Sequence, residues 1–271
     1  MSNNHYGKCA LCRQYAKLSF EHIPPEAAFN STPAKPVRGD KLFSKGERMP
    51  WDVSGLRYEN LQQGMGRYSL CEPCNNKTGS WYGNDYISIA HIIHHFFAKK
   101  PFSNPTGVEI REIYPLRFIK QVVSMFCSIN SNIDTVMCEL RDFVLNKDKV
   151  GIDKNKYKIC MYFTESNFVK YAPLSVLAKF DDSGSEAIAV SEITAYPLGF
   201  ILYFDPTDSY KYDGVDITSF ADYGYDCSAT IQLPFIVKEM NDIFPAHFRS
   251  REEIEKCVEE NKKWAEDNIG E

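Results

Sequence analysis

The sequence predicts an α+β fold in two units: residues 1–100 held by a metal, then an α+β module, residues 108–271, with a mainly antiparallel sheet. Three observations predict it. Two Cys-x-x-Cys pairs, Cys9/Cys12 and Cys71/Cys74, both fall in the first unit. Apolar residues at helical spacing give way, from about residue 156, to β-branched and aromatic runs. The charge also splits: residues 1–100 carry 13 Lys+Arg against 8 Asp+Glu, and residues 101–271 carry 18 against 28.

In chain order, a short hairpin bears the first cysteine pair, and "KLSFEHIPP" reads as a strand entering a turn stiffened by two prolines. Residues 30–68, rich in Pro, Gly, Lys and Arg, read as a long loop; loops of that length are usually functional or mobile. After the second cysteine pair, "NDYISIAHIIHHFFAKK" has helical spacing, with Ile87, Ala90, Ile93 (or His94) and Phe97 on one side. "PFSNPTG", 101–107, is a linker signal. Pro115 sits at a plausible first helical position for "YPLRFIKQVVSMFCSIN", and "DTVMCELRDFVL" continues as a second helix. "KYKICMYF", "VKYAPLSVLAKF", "EAIAVSEI", "LGFILYF" and "SATIQLPFIV" read as strands. A charged helix closes the chain, with Ser250 and Glu253 as its capping box and Ile254, Val258 and Trp264 as its apolar stripe.

Composition is that of a folded globular chain: of 271 residues 44% are hydrophobic and 25% charged, enough for a sizeable core. No apolar run of 18 residues predicts a membrane span, and the start of the chain lacks the basic-then-apolar pattern of a signal peptide. A cytoplasmic setting is the default. There the paired cysteines read as metal ligands, and the five scattered ones (Cys127, Cys138, Cys160, Cys227, Cys257) as small core residues.

Two such pairs supply the four thiolates of a tetrahedral zinc site. Four cysteines leave no open position, so this zinc is structural. The 58 residues between the pairs exceed the usual gap of about 15–20, so the intervening chain loops out. The centre brings "FEHIPP" close to "CNNKTG". Glu21 and His22 are adjacent on a strand and point to opposite sides. Imidazole accepts a proton near neutral pH, whereas a carboxylate and an amide suit a hard cation.

"CALC…SFEHIPP…ENLQ…LCEPCNNKTG", residues 8–83, resembles the HNH endonuclease family in its zinc-stapled, treble-clef, ββα-metal form. The resemblance implies a metal-dependent nuclease hydrolysing DNA phosphodiester bonds, with restriction or defence against phage as a setting by analogy of fold. It implies His22 as general base, Asn60 as the residue orienting it, Glu21 and Asn75 as ligands of a catalytic Mg²⁺ or Mn²⁺, and Cys9, Cys12, Cys71 and Cys74 around structural Zn²⁺. Glu21 stands where Asp is commoner. Asn60 lies 11 positions before Cys71, with Asn76 or Asn84 as stand-ins. Lys77 falls one residue early for a phosphate contact.

Arg13, Lys17, Lys41, Lys45, Arg48, Arg57 and Arg67 can meet phosphates, or simply be solvated. His91 and His95 share a helix face at metal-binding spacing, but no Glu follows His91 as in zinc proteases, and helix packing or surface is the favoured reading with His94. Trp51, Trp81 and Trp264 favour packing over base stacking. The module after residue 108 has no Gly-rich phosphate loop and no nucleophile elbow, and its ligand or protein partner stays open, as does homodimerisation. The alternative to a nuclease is a non-catalytic zinc module that binds nucleic acid or protein.

Overall fold

The computed structural model describes residues 5–42, 48–99, 106–181 and 184–269. Lys45 and most of "PFSNPTG" lie outside them. Strands β1 (Tyr6–Lys8), β2 (Tyr15–His22) and β3 (Gly66–Cys71) form an antiparallel sheet in that order. The excursion between β2 and β3 includes the four-residue helix α1 (Gly39–Leu42) and an isolated bridge between Ala34 and Leu61. Its two ends are stitched together by one buried side chain. Asn30 donates from Nδ2 to the carbonyls of Pro24 and Met65, each at 2.7 Å, and accepts from the Met65 N–H at 2.7 Å. Gly64, at φ +92°, is required here, because a Cβ would fall 1.9 Å from the Asn30 carbonyl oxygen.

Helix α2 (Glu72–Thr78) starts at the end of β3, with Pro73 in its first turn where a missing N–H costs nothing. A π-helical turn (Gly79–Gly83) carries it without a break into α3 (Asn84–Ala98). The residues α3 buries are Tyr86, Ile89, Ala90 and Ile93, so its inner face is turned towards Tyr86 from the expected Ile87–Phe97 stripe. Tyr86 stacks on Phe118, centroids 5.7 Å apart, and this contact sets the phase.

Helix α4 (Pro115–Ile129) begins at Pro115 as the sequence predicts, and every residue except Arg117 is buried. It touches β3, α3, the following α5 (Cys138–Leu145) and the strands of the large sheet. A helix buried on all sides is central to a core rather than laid on its surface. The apolar cluster runs unbroken from Cys9 and Leu70 through α4 to Phe200.

The large sheet has the order β6 (Lys170–Asp181), β7 (Gly184–Ala195), β8 (Leu198–Phe204), β5 (Tyr157–Phe163), β9 (Val215–Asp216), all pairs antiparallel. A further strand, β4 (Gly107–Ile113), was not expected. It pairs antiparallel with β10 (Ala229–Pro234), burying Val108, Ile110 and Ile113. Helix α6 (Arg251–Ile269) follows its predicted box: Glu253 N–H donates to Ser250 Oγ (3.2 Å), and Ser250 N–H to Glu253 Oε2 (2.7 Å). Its stripe is corrected at one place. Trp264 is 60% exposed, and the less exposed position is Ala265, which follows Ile254 and Val258 at helical spacing. Among the described residues no helix is long and apolar enough to cross a membrane.

Candidate metal centre and the strand beside it

The first cysteine pair lies in the tight connection from β1 to β2. Arg13 takes φ +63° and its N–H returns to the Cys9 carbonyl at 3.1 Å. The second pair joins β3 to α2, so strand pairing brings the two together. The four sulfurs lie within 4.8 Å of one another, and Cys12 and Cys71 are 3.8 Å apart. Zinc–sulfur bonds of about 2.3 Å give a tetrahedral edge of about 3.8 Å, so donor set and spacing fit zinc. The Cys71 N–H donates to Cys9 Sγ at 3.3 Å. The Cys9 thiol is pushed down because the Cys74 thiol and backbone N–H groups donate to it, while Cys74, holding its proton beside that thiolate, is pushed up. Among the described residues this is the one cluster of three or more His, Cys, Asp or Glu side chains able to hold a metal.

The knuckle is anchored from outside. Arg141 Nε donates to the Ala10 carbonyl at 2.9 Å, and Arg13 Nη1 to the Ser131 carbonyl at 2.7 Å. Arg13 is therefore committed to the loop after α4. Arg67 is likewise committed, its Nη1 donating to the carbonyl of Ile129, the last residue of α4, at 3.2 Å.

Glu21 and His22 take opposite faces of β2, as strand alternation requires. His22 remains partly exposed, and its Nε2 donates to the Gln63 carbonyl at 2.8 Å. A carbonyl can only accept, so this bond fixes the N–H on Nε2 and leaves Nδ1 as the basic nitrogen. The expected orienting residue, Asn60, is exposed, and the ring is held by the backbone three residues further on. Asn30, which has no sequence signal to mark it, ties the chain just after His22 to the chain just before its partner Gly66 instead. Asn76 and Asn84 are both exposed.

Glu21 is only 4% exposed. Its Oε2 accepts from Ser69 Oγ (2.9 Å) and from Ser128 Oγ of α4. Burial pushes the carboxyl up to about 7; the two hydroxyls and Arg67 pull it back, and Cys9 adds to the rise. Asn75 donates from Nδ2 to Ser19 Oγ (3.1 Å) and to the Phe20 carbonyl (3.2 Å). A carboxylate and an amide oxygen are the right chemistry for Mg²⁺ or Mn²⁺. Their arrangement does not fit one, because a hydrated cation needs open oxygens and this carboxylate is enclosed and bonded to two hydroxyls.

Arg57 and Lys77 are exposed, Lys77 with its ammonium 5.9 Å above the Trp81 ring. His91 Nε2 bonds the Ala27 carbonyl, His94 Nδ1 the Tyr196 hydroxyl and His95 Nδ1 the His91 carbonyl, so these three pack and cap rather than converge. Compared with protein-family models, curated proteins and solved structures, the chain matches none.

Proposed function

We propose that β1, β2, β3, α2 and α3 form a zinc-stapled treble-clef unit of HNH type, and that the chain hydrolyses DNA phosphodiester bonds with His22 as general base. One observation carries this reading. Asn75, directly after the last cysteine, reaches from α2 to β2 and bonds the Ser19 hydroxyl and the Phe20 carbonyl, beside the Glu21–His22 dipeptide. The strand–strand–helix order with the four-cysteine cluster at its joint is what the resemblance calls for. The Gln63 carbonyl then holds the His22 ring so that Nδ1 can draw a proton from water.

A second reading is favoured by a specific contact. With Glu21 closed off by Ser128, the unit serves as a zinc-containing module that binds nucleic acid or protein without cutting. Cation binding at Glu21 would require that contact to open.

Plasmid and single-stranded DNA incubated with Mg²⁺ or Mn²⁺ separate the two. His22→Ala is expected to slow cleavage by about 10²–10⁴-fold, the usual worth of a general base. Equal cleavage by both chains removes His22 from the mechanism. Binding without cleavage by the wild type selects the second reading.

A further inference from the structure

The face of the N-terminal sheet that bears His22 also bears a row of rings. Alternation along β2 puts Phe20 and His22 on one face, and the pairs Phe20–Tyr68 and His22–Gly66 add Tyr68 and Gly66 to it. His5 stacks on Tyr68 with centroids 3.7 Å apart and planes 17° apart. Tyr68 meets Phe20 edge-on at 5.3 Å, and Phe20 meets His22 edge-on at 5.1 Å. No side chain interrupts the row at Gly66, where a Cβ would lie 2.7 Å from the Phe20 ring. The opposite face of these strands, with Glu21 and Leu70, is the buried one, whereas Tyr68 is 47% exposed.

We propose that this row is a stacking platform for unpaired bases, and that the site takes single-stranded nucleic acid. The proposal rests on the nuclease reading only in taking His22 as the reactive end of the row. Every base offers a π-face, but in a duplex those faces are already covered by neighbouring bases, so a row of half-buried rings around the exposed Tyr68 favours a single strand. Charge agrees with a polyanion. The first 100 residues hold 13 Lys+Arg against 8 Asp+Glu, and one of those acids, Glu21, lies in the core. Three of the four rings carry polar atoms, the Tyr68 hydroxyl and the His5 and His22 nitrogens, which can bond base edges while Phe20 adds apolar area.

The test uses the full chain with no divalent cation added beyond its zinc. Fluorescence anisotropy compares a labelled oligo-dT strand of about 15 nucleotides with a duplex of equal length. The single strand is expected to bind about tenfold more tightly, and Tyr68→Leu, which keeps apolar bulk without a π-face, to weaken it about tenfold. Tyr68→Trp restores it. Wild-type affinity in Tyr68→Leu, or preference for the duplex, overturns the platform. Cleavage plays no part in this measurement. Unchanged cleavage in His22→Ala beside weakened binding in Tyr68→Leu keeps the platform and removes the nuclease mechanism; the reverse pattern removes the platform alone.

Discussion

Ser128, near the end of the buried helix α4, donates its hydroxyl to the carboxylate of Glu21, on the strand that carries His22. The bond joins residues 107 positions apart in the chain and makes Glu21 part of the packing between the N-terminal sheet and helix α4.

That position gives Glu21 a proton affinity that the unfolded chain lacks. Its carboxyl rises from an ordinary 4.5 to about 7, chiefly through burial. Between these values the folded chain holds a proton that the unfolded chain has released, so stability falls as pH rises from about 4.5 to about 7, by roughly 3 kcal/mol. Above that window both states are ionised and the group adds no further slope. Glu21→Gln keeps an acceptor for the serines and removes the ionisation. Urea unfolding of both chains at pH 5 and pH 8 is expected to show the variant gaining roughly 3 kcal/mol on the wild type between the two. Taking the difference cancels the acid sensitivity of the thiolates, which both chains share. A difference that does not move with pH would place the carboxyl in contact with water.

The cysteine cluster makes a prediction of stoichiometry. Elemental analysis should find one zinc per chain, lost in Cys71→Ser, because the substitution removes one of the four clustered sulfurs. The midpoint of thermal unfolding should drop by about 10 °C or more, since structural zinc contributes directly to folding. Cys138, exposed and outside the cluster, is the control: Cys138→Ser should keep both zinc and midpoint.

Local signals were legible and remote partners were not. The cysteine pairs announced the centre because ligand spacing is written in consecutive residues. Pro115 and the Ser250–Glu253 box announced helix starts, because capping is settled within one turn. The stripe of α3 was legible in part: Ala90 and Ile93 are buried and Ile87 and Phe97 pack partly against the core, while Tyr86 finds Phe118 across it. Strand β4 was missed because its one partner, β10, lies more than 110 residues away, and a two-stranded pair leaves only a short alternating run. At the site, "FEH" located Glu21 and His22, but nothing near them in sequence names Ser128, Gln63 or Asn30 as their neighbours. Those partners exist only once the long excursion has closed and α4 has docked.

The large sheet carries a buried ion pair with further partners around it. Lys170 Nζ lies 2.8 Å from Glu192 Oε2, with 4% and 0% of the two side chains exposed. Glu192 Oε1 accepts from the hydroxyls of Tyr162 (2.5 Å) and Thr194 (2.9 Å), and Oε2 from the Ala246 N–H (2.7 Å). Lys170 also donates to the Phe244 carbonyl at 3.0 Å, so the pair fastens the segment before α6 to the sheet. Removing one ion leaves the other charged and dry, which typically costs about 3–5 kcal/mol. Lys170→Met should therefore lower stability by that amount in denaturant unfolding and expose residues 242–250 to trypsin, which cleaves after Arg249. Glu192→Gln added to Lys170→Met keeps a neutral acceptor for Tyr162 and Thr194 and removes the stranded charge, so it should recover at least about half of the loss. A cost below about 1 kcal/mol in Lys170→Met, the range of an exposed pair, would show that water reaches the site.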